Sequence, residues 1–318
     1  AAPVNMFASL APSARAAVGA VAIAGASSAF ALCDGDADSA RNLLRRVTAA
    51  RRLTDDVSEA LPAPLHPKKL QAFTVVRNQQ ISPDTHKLRL RFPEGTSDKN
   101  PITVASLIVA SAEINGEKVE RPYTPVSPLT TRGYLDLMVK SYGPDSKMSN
   151  HICTRKAGET VAFRGPYQKF EYKANQVKYL GLIAGGSGIT PMIQLLHKIL
   201  KDPRDKTEVR LLYANKSPAD ILMKEELDVL AFLYPNFKVV YTVDGGADDD
   251  WSGYVGHVSE GMLTDTMPPP SPDTLICVCG PPGMMKHVSG DKAKDYSQGE
   301  VDGLLKKGGY TKEMVFKY

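Results

Sequence analysis

Cysteine is scarce in this chain of 318 residues, and its four copies are poorly spaced for joint work. Cys33, Cys153, Cys277 and Cys279 form no CxxC pair and no Cys/His cluster, which argues against structural zinc and against a disulfide framework. Cys277 and Cys279 would share one side of a strand, a poor geometry for a bridge between them. The six histidines are too dispersed to form a ligand set, so no metal site is expected. Charge of one sign is equally short: 39 Lys plus Arg against 35 Asp plus Glu leave a formal +4. With no basic-aromatic motif beside it, that balance gives no case for nucleic-acid binding. Tandem repeats and low-complexity tracts are missing. No G-x-S-x-G elbow occurs and no acid and histidine partners stand out, which makes a serine hydrolase a poor fit.

Long apolar runs are nearly absent too, with one exception. Residues 16–32 carry no charge, are rich in Ala, Val and Gly, and are bounded by Arg15 and by the acidic stretch 34–36. Their length suits a membrane span, although Ala29-Phe-Ala31 could instead belong to a cleaved signal. A chain that starts at Ala suggests an earlier targeting peptide already removed, which favours a retained anchor. Beyond it, Ala40, Leu43, Leu44, Val47, Ala50 and Val57 recur at near-helical spacing, with Arg41, Arg45, Arg46, Arg51 and Arg52 on the other side. This pattern fits a basic amphipathic helix on an anionic surface or an ordinary solvated helix. The proline-rich residues 61–67 read as a semi-rigid linker.

What remains has the composition of a globular protein, 42% hydrophobic and 23% charged, and its length suggests two domains. Residues 85–92 alternate Leu88, Leu90 and Phe92 with Lys87, Arg89 and Arg91, the period of a half-buried strand. Asn115-Gly116 between two such runs signals a hairpin, because both turn positions need positive φ. Strands at 134–142 and 160–164 complete a small antiparallel barrel or sandwich. Past Tyr172 the order becomes strand, turn, helix. Apolar strands are expected at 177–184, 209–213, 237–243 and 274–279, with helices at 192–200 and 223–233; Thr190 would cap the first helix and Pro191 open it. This is a parallel, doubly wound sheet with ligands at the carboxyl ends of its strands.

Three motifs carry the chemistry. Arg121-Pro-Tyr-Thr-Pro-Val-Ser127 offers a guanidinium for a pyrophosphate, a ring for a planar cofactor and a hydroxyl for a flavin edge near N5. Gly185-Gly-Ser-Gly-Ile-Thr-Pro191 is a glycine turn between strand and helix that lacks the full GxGxxG spacing, so alone it signals a dinucleotide only weakly. Cys279-Gly-Pro-Pro282 places a thiol at the end of an apolar strand. Trp251 reads as a loop anchor, and the acidic stretch 248–250 as a solvated turn.

The runs RPYTPVS, KMS, GGSGITPM and CGPPGMM stand in the order found in NADH-cytochrome b5 reductases, within the ferredoxin-NADP reductase superfamily, and the resemblance covers residues 70–318. The closing residues 297–301 and 309–318 resemble the mitochondrial reductases of plants, algae and fungi. The resemblance implies an antiparallel FAD-binding β-barrel at 68–172 and a doubly wound NADH-binding domain at 173–318; the helical anchor extension expected at 1–67 lies outside it. It implies FAD at Arg121, Pro122, Tyr123 and Thr124, with Val139, Lys140 and Tyr142 along its ribityl and adenosine portion. Lys147, Met148 and Ser149 would hold the pyrophosphate on backbone amides, with Ser146 where the family has glycine. Gly185, Gly186, Ser187, Gly188 and Thr190 would receive NADH, Asp244 the adenosine ribose, and Cys279 the nicotinamide C4 region. Gly280, Pro281, Met284 and Phe316 would complete that pocket.

Implied too is the reaction: a hydride passes from NADH to the flavin, with Thr124 acting at N5 and Cys279 setting the nicotinamide, and single electrons then pass to cytochrome b5 or a similar haem protein. Lys140, Lys147 and neighbouring cations would steer an acidic partner. A quinone or other acceptor, and a structural role in an organellar membrane complex, stay open as alternatives. The expected setting is a mitochondrial membrane, with plastid and endoplasmic reticulum behind it.

Overall fold

The structure is a computed structural model that describes residues 61–318 apart from Pro144. The expected anchor at 16–32 and basic helix at 40–57 lie outside the described residues. Among the described residues no helix is long and apolar enough to cross a membrane.

Strands β1 (Gln71–Ser82), β2 (Thr85–Arg91), β3 (Ser106–Ile114), β4 (Glu117–Tyr123), β5 (Tyr134–Lys140) and β6 (Thr160–Gln168) form one antiparallel sheet in the order β4-β3-β6-β1-β2-β5. Alternation does in β2 what its sequence implies: Leu88 and Leu90 are buried while Arg89 and Arg91 are exposed. Asn115 and Gly116 have φ of 53° and 77°, so the two-residue turn from Ile114 to Glu117 has the backbone that this dipeptide favours. Just past β4, the Val126 N–H donates to the Asp136 carbonyl at 2.9 Å and links the two edges of the sheet. Helix α1 (Lys147–Cys153) adds Met148, Ile152 and Cys153 to the core beneath. Residues 61–67 are not a free spacer: Leu65 joins that core, and the Pro62 and His66 carbonyls accept from Ser97 and Gly165 N–H. Burying one leucine and satisfying barrel amides holds the segment against the sheet.

Strands β7 (Tyr179–Gly185), β8 (Glu208–Asn215), β9 (Phe237–Val243), β10 (Tyr254–Val255), β11 (Thr274–Cys279) and β12 (Val315–Lys317) form a parallel sheet in the order β10-β9-β8-β7-β11-β12. Its helices are α2 (Ile189–Leu200), α3 (Lys224–Leu233), α4 (Glu260–Thr266), α5 (Pro282–Val288) and α6 (Gly303–Lys307). The period of two in β7 sends Leu180, Leu182 and Ala184 to the face covered by α2, and Ile183 to the face that holds Met262 of α4. That is why β7 reads as an unbroken apolar run. The α2 core continues onto Val104, Ala105, Val126 and Met138, so the two sheets share an apolar boundary.

Two helix starts differ from expectation. α2 begins at Ile189 after a 3-10 turn over Gly186–Gly188, and Gly188 holds the N-cap position. Thr190 therefore lies inside the first turn, where its hydroxyl donates to the Ser187 carbonyl at 3.1 Å instead of capping. α3 starts at Lys224 because Met223 sits at φ 58°, outside helical geometry.

Candidate active site

Thr124 follows the end of β4 and Cys279 ends β11, and both line one cavity of about 770 Å³. Arg121, Pro122 and Tyr123 line it beside Thr124, with Val139, Lys140 and Tyr142 from β5 and its exit. The Arg121 guanidinium is exposed and donates to the Glu120 carbonyl at 2.8 Å. Tyr123 packs on the barrel core, and burial raises its phenol well above the usual range. It stays a neutral ring at any working pH. Lys147, Met148 and Ser149 open α1 on the same cavity. The Ser146 hydroxyl bonds the Ser149 hydroxyl at 2.6 Å and caps no backbone amide, so the first-turn amides of α1 have no side-chain cap. Lys147 pairs with Glu117 and holds that carboxyl below its usual range.

Lys140 corrects one expectation. Its side chain is 8% exposed and its ammonium is held by Asp84 at 2.6 Å and Asp220 at 3.4 Å, so it cannot steer a partner from the surface. It joins the two sheets instead. Tyr142 does the same at the rim, its hydroxyl 3.2 Å from that of Ser187.

The opposite wall comes from the switch point of the parallel sheet. The chain runs from β7 outward through β8 and β9, then returns to β11 on the other side of β7. Loops leaving β7 and β11 must diverge there, which opens a crevice. Ser187, Gly188 and Thr190 from one loop and Cys279, Gly280 and Pro281 from the other line it. Gly188 is required, because a Cβ there would run into the Cys279 carbonyl. Burial pushes the Cys279 thiol up to about 12, with Lys292 working weakly the other way. The group is thus a neutral thiol rather than a nucleophile.

Five expected residues are absent from this lining. Gly185 packs against Pro281 and Met284: a Cβ at Gly185 would sit 2.9 Å from the Pro281 ring, and one at Gly280 would sit 2.7 Å from the Met284 sulfur. Met284 therefore supports both turns and does not line the cavity wall. Gly186 supplies a φ of 51° in the turn. Phe316 lies between the rings of Phe170 and Tyr318, at 5.1 and 5.0 Å. It is Tyr318 that reaches the cavity, and its buried hydroxyl has no hydrogen-bond partner. Asp244 follows β9, its N–H on the Asn215 carbonyl at 2.9 Å and its carboxylate 3.5 Å from His257. Asn215 ends β8 buried, with neither side-chain polar atom bonded.

These features suit a dinucleotide flavin facing a second dinucleotide: a neutral aromatic wall, amides without a side-chain cap beside Lys147, an unsatisfied hydroxyl, and two turns in contact. The Oxidoreductase FAD-binding domain family matches residues 72–172, and the Oxidoreductase NAD-binding domain family matches residues 182–290. The NADH-cytochrome b5 reductase-like protein of Arabidopsis thaliana is 47% identical over 260 residues, 80% of this chain and 78% of the relative. NADH-cytochrome b5 reductase 2 of Scheffersomyces stipitis is 42% identical over 245 residues, 77% and 82% of the two chains. The chain belongs to the NADH-cytochrome b5 reductase family. It is an oxidoreductase that uses FAD and NADH.

The cytochrome b5 reductase domain of Ulva prolifera nitrate reductase superposes with a TM-score of 0.70 at 30% identity, over 80% of this chain and 99% of that one. A ferredoxin NADP+ reductase of Neisseria gonorrhoeae, at 18% identity and a TM-score of 0.61, shares the fold. For this member of the NADH-cytochrome b5 reductase family, sequence reasoning missed Tyr318 on the cavity wall. Tyr318 shares a strand face with Phe316, and alternation alone does not choose between them.

Proposed function

We propose that hydride transfer takes place in the cavity between Thr124 and Cys279, and that the electrons leave singly to a haem protein of the cytochrome b5 kind. The observation that carries this reading is the single cavity shared by the Arg121-to-Thr124 segment and the Cys279-to-Pro281 turn. Bound FAD supplies a ring that accepts a hydride and releases electrons one at a time. The protein's part is orientation. Tyr123 and Val139 offer apolar walls, the first-turn amides of α1 with Arg121 and Lys147 hold the pyrophosphate, and the Thr124 hydroxyl donates or accepts a hydrogen bond at N5. Across the cavity Gly188 lets a nicotinamide approach the backbone, and the neutral Cys279 thiol sets its depth. Asp244 accepts the ribose 2′-hydroxyl and repels a 2′-phosphate, which favours NADH.

The relatives named above are NADH-cytochrome b5 reductases, which supports cytochrome b5 as the acceptor. A mitochondrial membrane setting is supported by the uncharged residues 16–32 and by the resemblance of residues 297–301 and 309–318 to mitochondrial reductases. Rapid mixing tests the whole reading. The purified protein should be yellow, bleach with NADH, and recolour faster with oxidised cytochrome b5 than with a quinone in the same membrane preparation. A yellow protein that NADH leaves unbleached would sink the hydride step, and faster recolouring by quinone would move the acceptor.

A further inference from the structure

Pro125 follows Thr124, and the register of the β3–β4 pair, Ile108 with Tyr123, would bring Ser106 opposite Pro125 at a rung two residues further on. Proline has no N–H, so that rung cannot close as a backbone pair. A side chain from the other half of the molecule takes its place. Gln194 of α2, 2% exposed, accepts from the Ser106 N–H at 3.1 Å and donates to the Ser106 carbonyl at 3.2 Å and the Pro125 carbonyl at 3.0 Å. Its carboxamide acts as a borrowed peptide group inserted between two strands. Ala105, at φ 57°, makes the sharp backbone turn that starts β3 at this point.

Gln194 is also four residues after Thr190, one turn along the same face of α2. Thr124 precedes Pro125, and both Thr124 and Thr190 line the cavity. The rung behind the two threonines is therefore tied by three hydrogen bonds. The rest of this boundary is largely apolar, with Val104, Ala105, Val126 and Met138 against the α2 core, and apolar contact resists separation much better than it resists sliding.

We infer that Gln194 is a positioning residue for hydride transfer: by completing the β3–β4 ladder it fixes Thr190 opposite Thr124, and with it the approach of nicotinamide to flavin. The inference rests on the reading of this cavity as the place where the two cofactors meet. A mismatch of about 1 Å between reacting groups can cost on the order of a hundredfold in rate, whereas binding of a long dinucleotide tolerates it.

The test uses the FAD-loaded protein with Gln194→Met, which keeps the volume and removes the amide. Native-state hydrogen exchange at the Ser106 amide should accelerate, NADH affinity by titration should stay within about threefold, and bleaching at saturating NADH should slow by about ten- to a hundredfold. Gln194→Asn, which retains the amide but withdraws it by one methylene, should fall between the two; it also serves if the methionine variant does not fold. Bleaching at the wild-type rate with Ser106 deprotected overturns the inference, as does a parallel loss of FAD content, NADH affinity and rate in both variants. Failure of the wild-type protein to bleach would instead count against the cavity reading itself.

Discussion

At the scale of single residues, the neutrality of Cys279 decides what it can do. Desolvation pushes the partly buried Cys279 thiol up to about 12, so it carries essentially no thiolate near neutrality and its contribution is steric and dispersive. Cys279→Ala should slow flavin bleaching by about tenfold or more in stopped flow while NADH affinity changes by less than about threefold; equal effects on both would count against positioning. Because the folded-state value lies above the ordinary thiol value near 8.5, this group's share of stability is intact below that value and is lost as pH rises through about 12. Bleaching by the wild-type protein should accordingly show no inflection from this thiol between about pH 6 and 9, and iodoacetamide should label it slowly there. That Thr124 and Cys279 line one cavity was legible because each sits in a run with few other chemical uses. Tyr318 was not: the choice between it and Phe316 depends on where β12 ends relative to the cavity.

At the scale of elements, the two turns at the switch point work as one unit. Gly188 meets the Cys279 carbonyl, and Met284 fills the space under Gly185 and Gly280. Gly188→Ala should force the turns apart and cost about 1 to 3 kcal/mol in urea unfolding, with weaker NADH binding in the protein that remains folded. An unchanged midpoint would show that the turns can move apart freely. Strand periods were readable because alternation is local: β2, the Asn115-Gly116 hairpin and the apolar β7 all follow from neighbours in sequence. The start of α2 was not readable. A Thr-Pro pair normally signals a cap, but close packing of Gly188 on β11 draws the helix start upstream and places Thr190 within the first turn.

Across the molecule, two sheets are held in register by an apolar boundary with polar ties, Gln194 at one place and Lys140 at another. Lys140 brings Asp84 of the barrel half and Asp220 of the α/β half to one ammonium. Burial works to raise the Asp220 carboxyl, yet the Ser217 hydroxyl and the Lys140 ammonium prevail and hold it below its usual range. Its contribution is therefore present above the ordinary carboxylate value near 3.9 and fades as pH falls through the lower folded-state value. Asp220→Ala should lower stability by about 1 to 2 kcal/mol at neutral pH, or a few degrees in thermal midpoint. That deficit should shrink in acid; a deficit independent of pH would mean the tie is not ionic.

The sequence by itself determined the change from antiparallel strands to alternating strands and helices, the hairpin and the three motifs, since each depends on residues within a turn or two of one another. Only the tertiary structure decided which residues face the cavity, that Lys140 is a tie between the halves, that residues 61–67 pack on the barrel, and that Gln194 stands in for a missing N–H. Those outcomes depend on pairs such as Gln194 and Ser106, 88 positions apart, whose meeting is set by how two sheets settle on one another. Local periodicity carries no record of that.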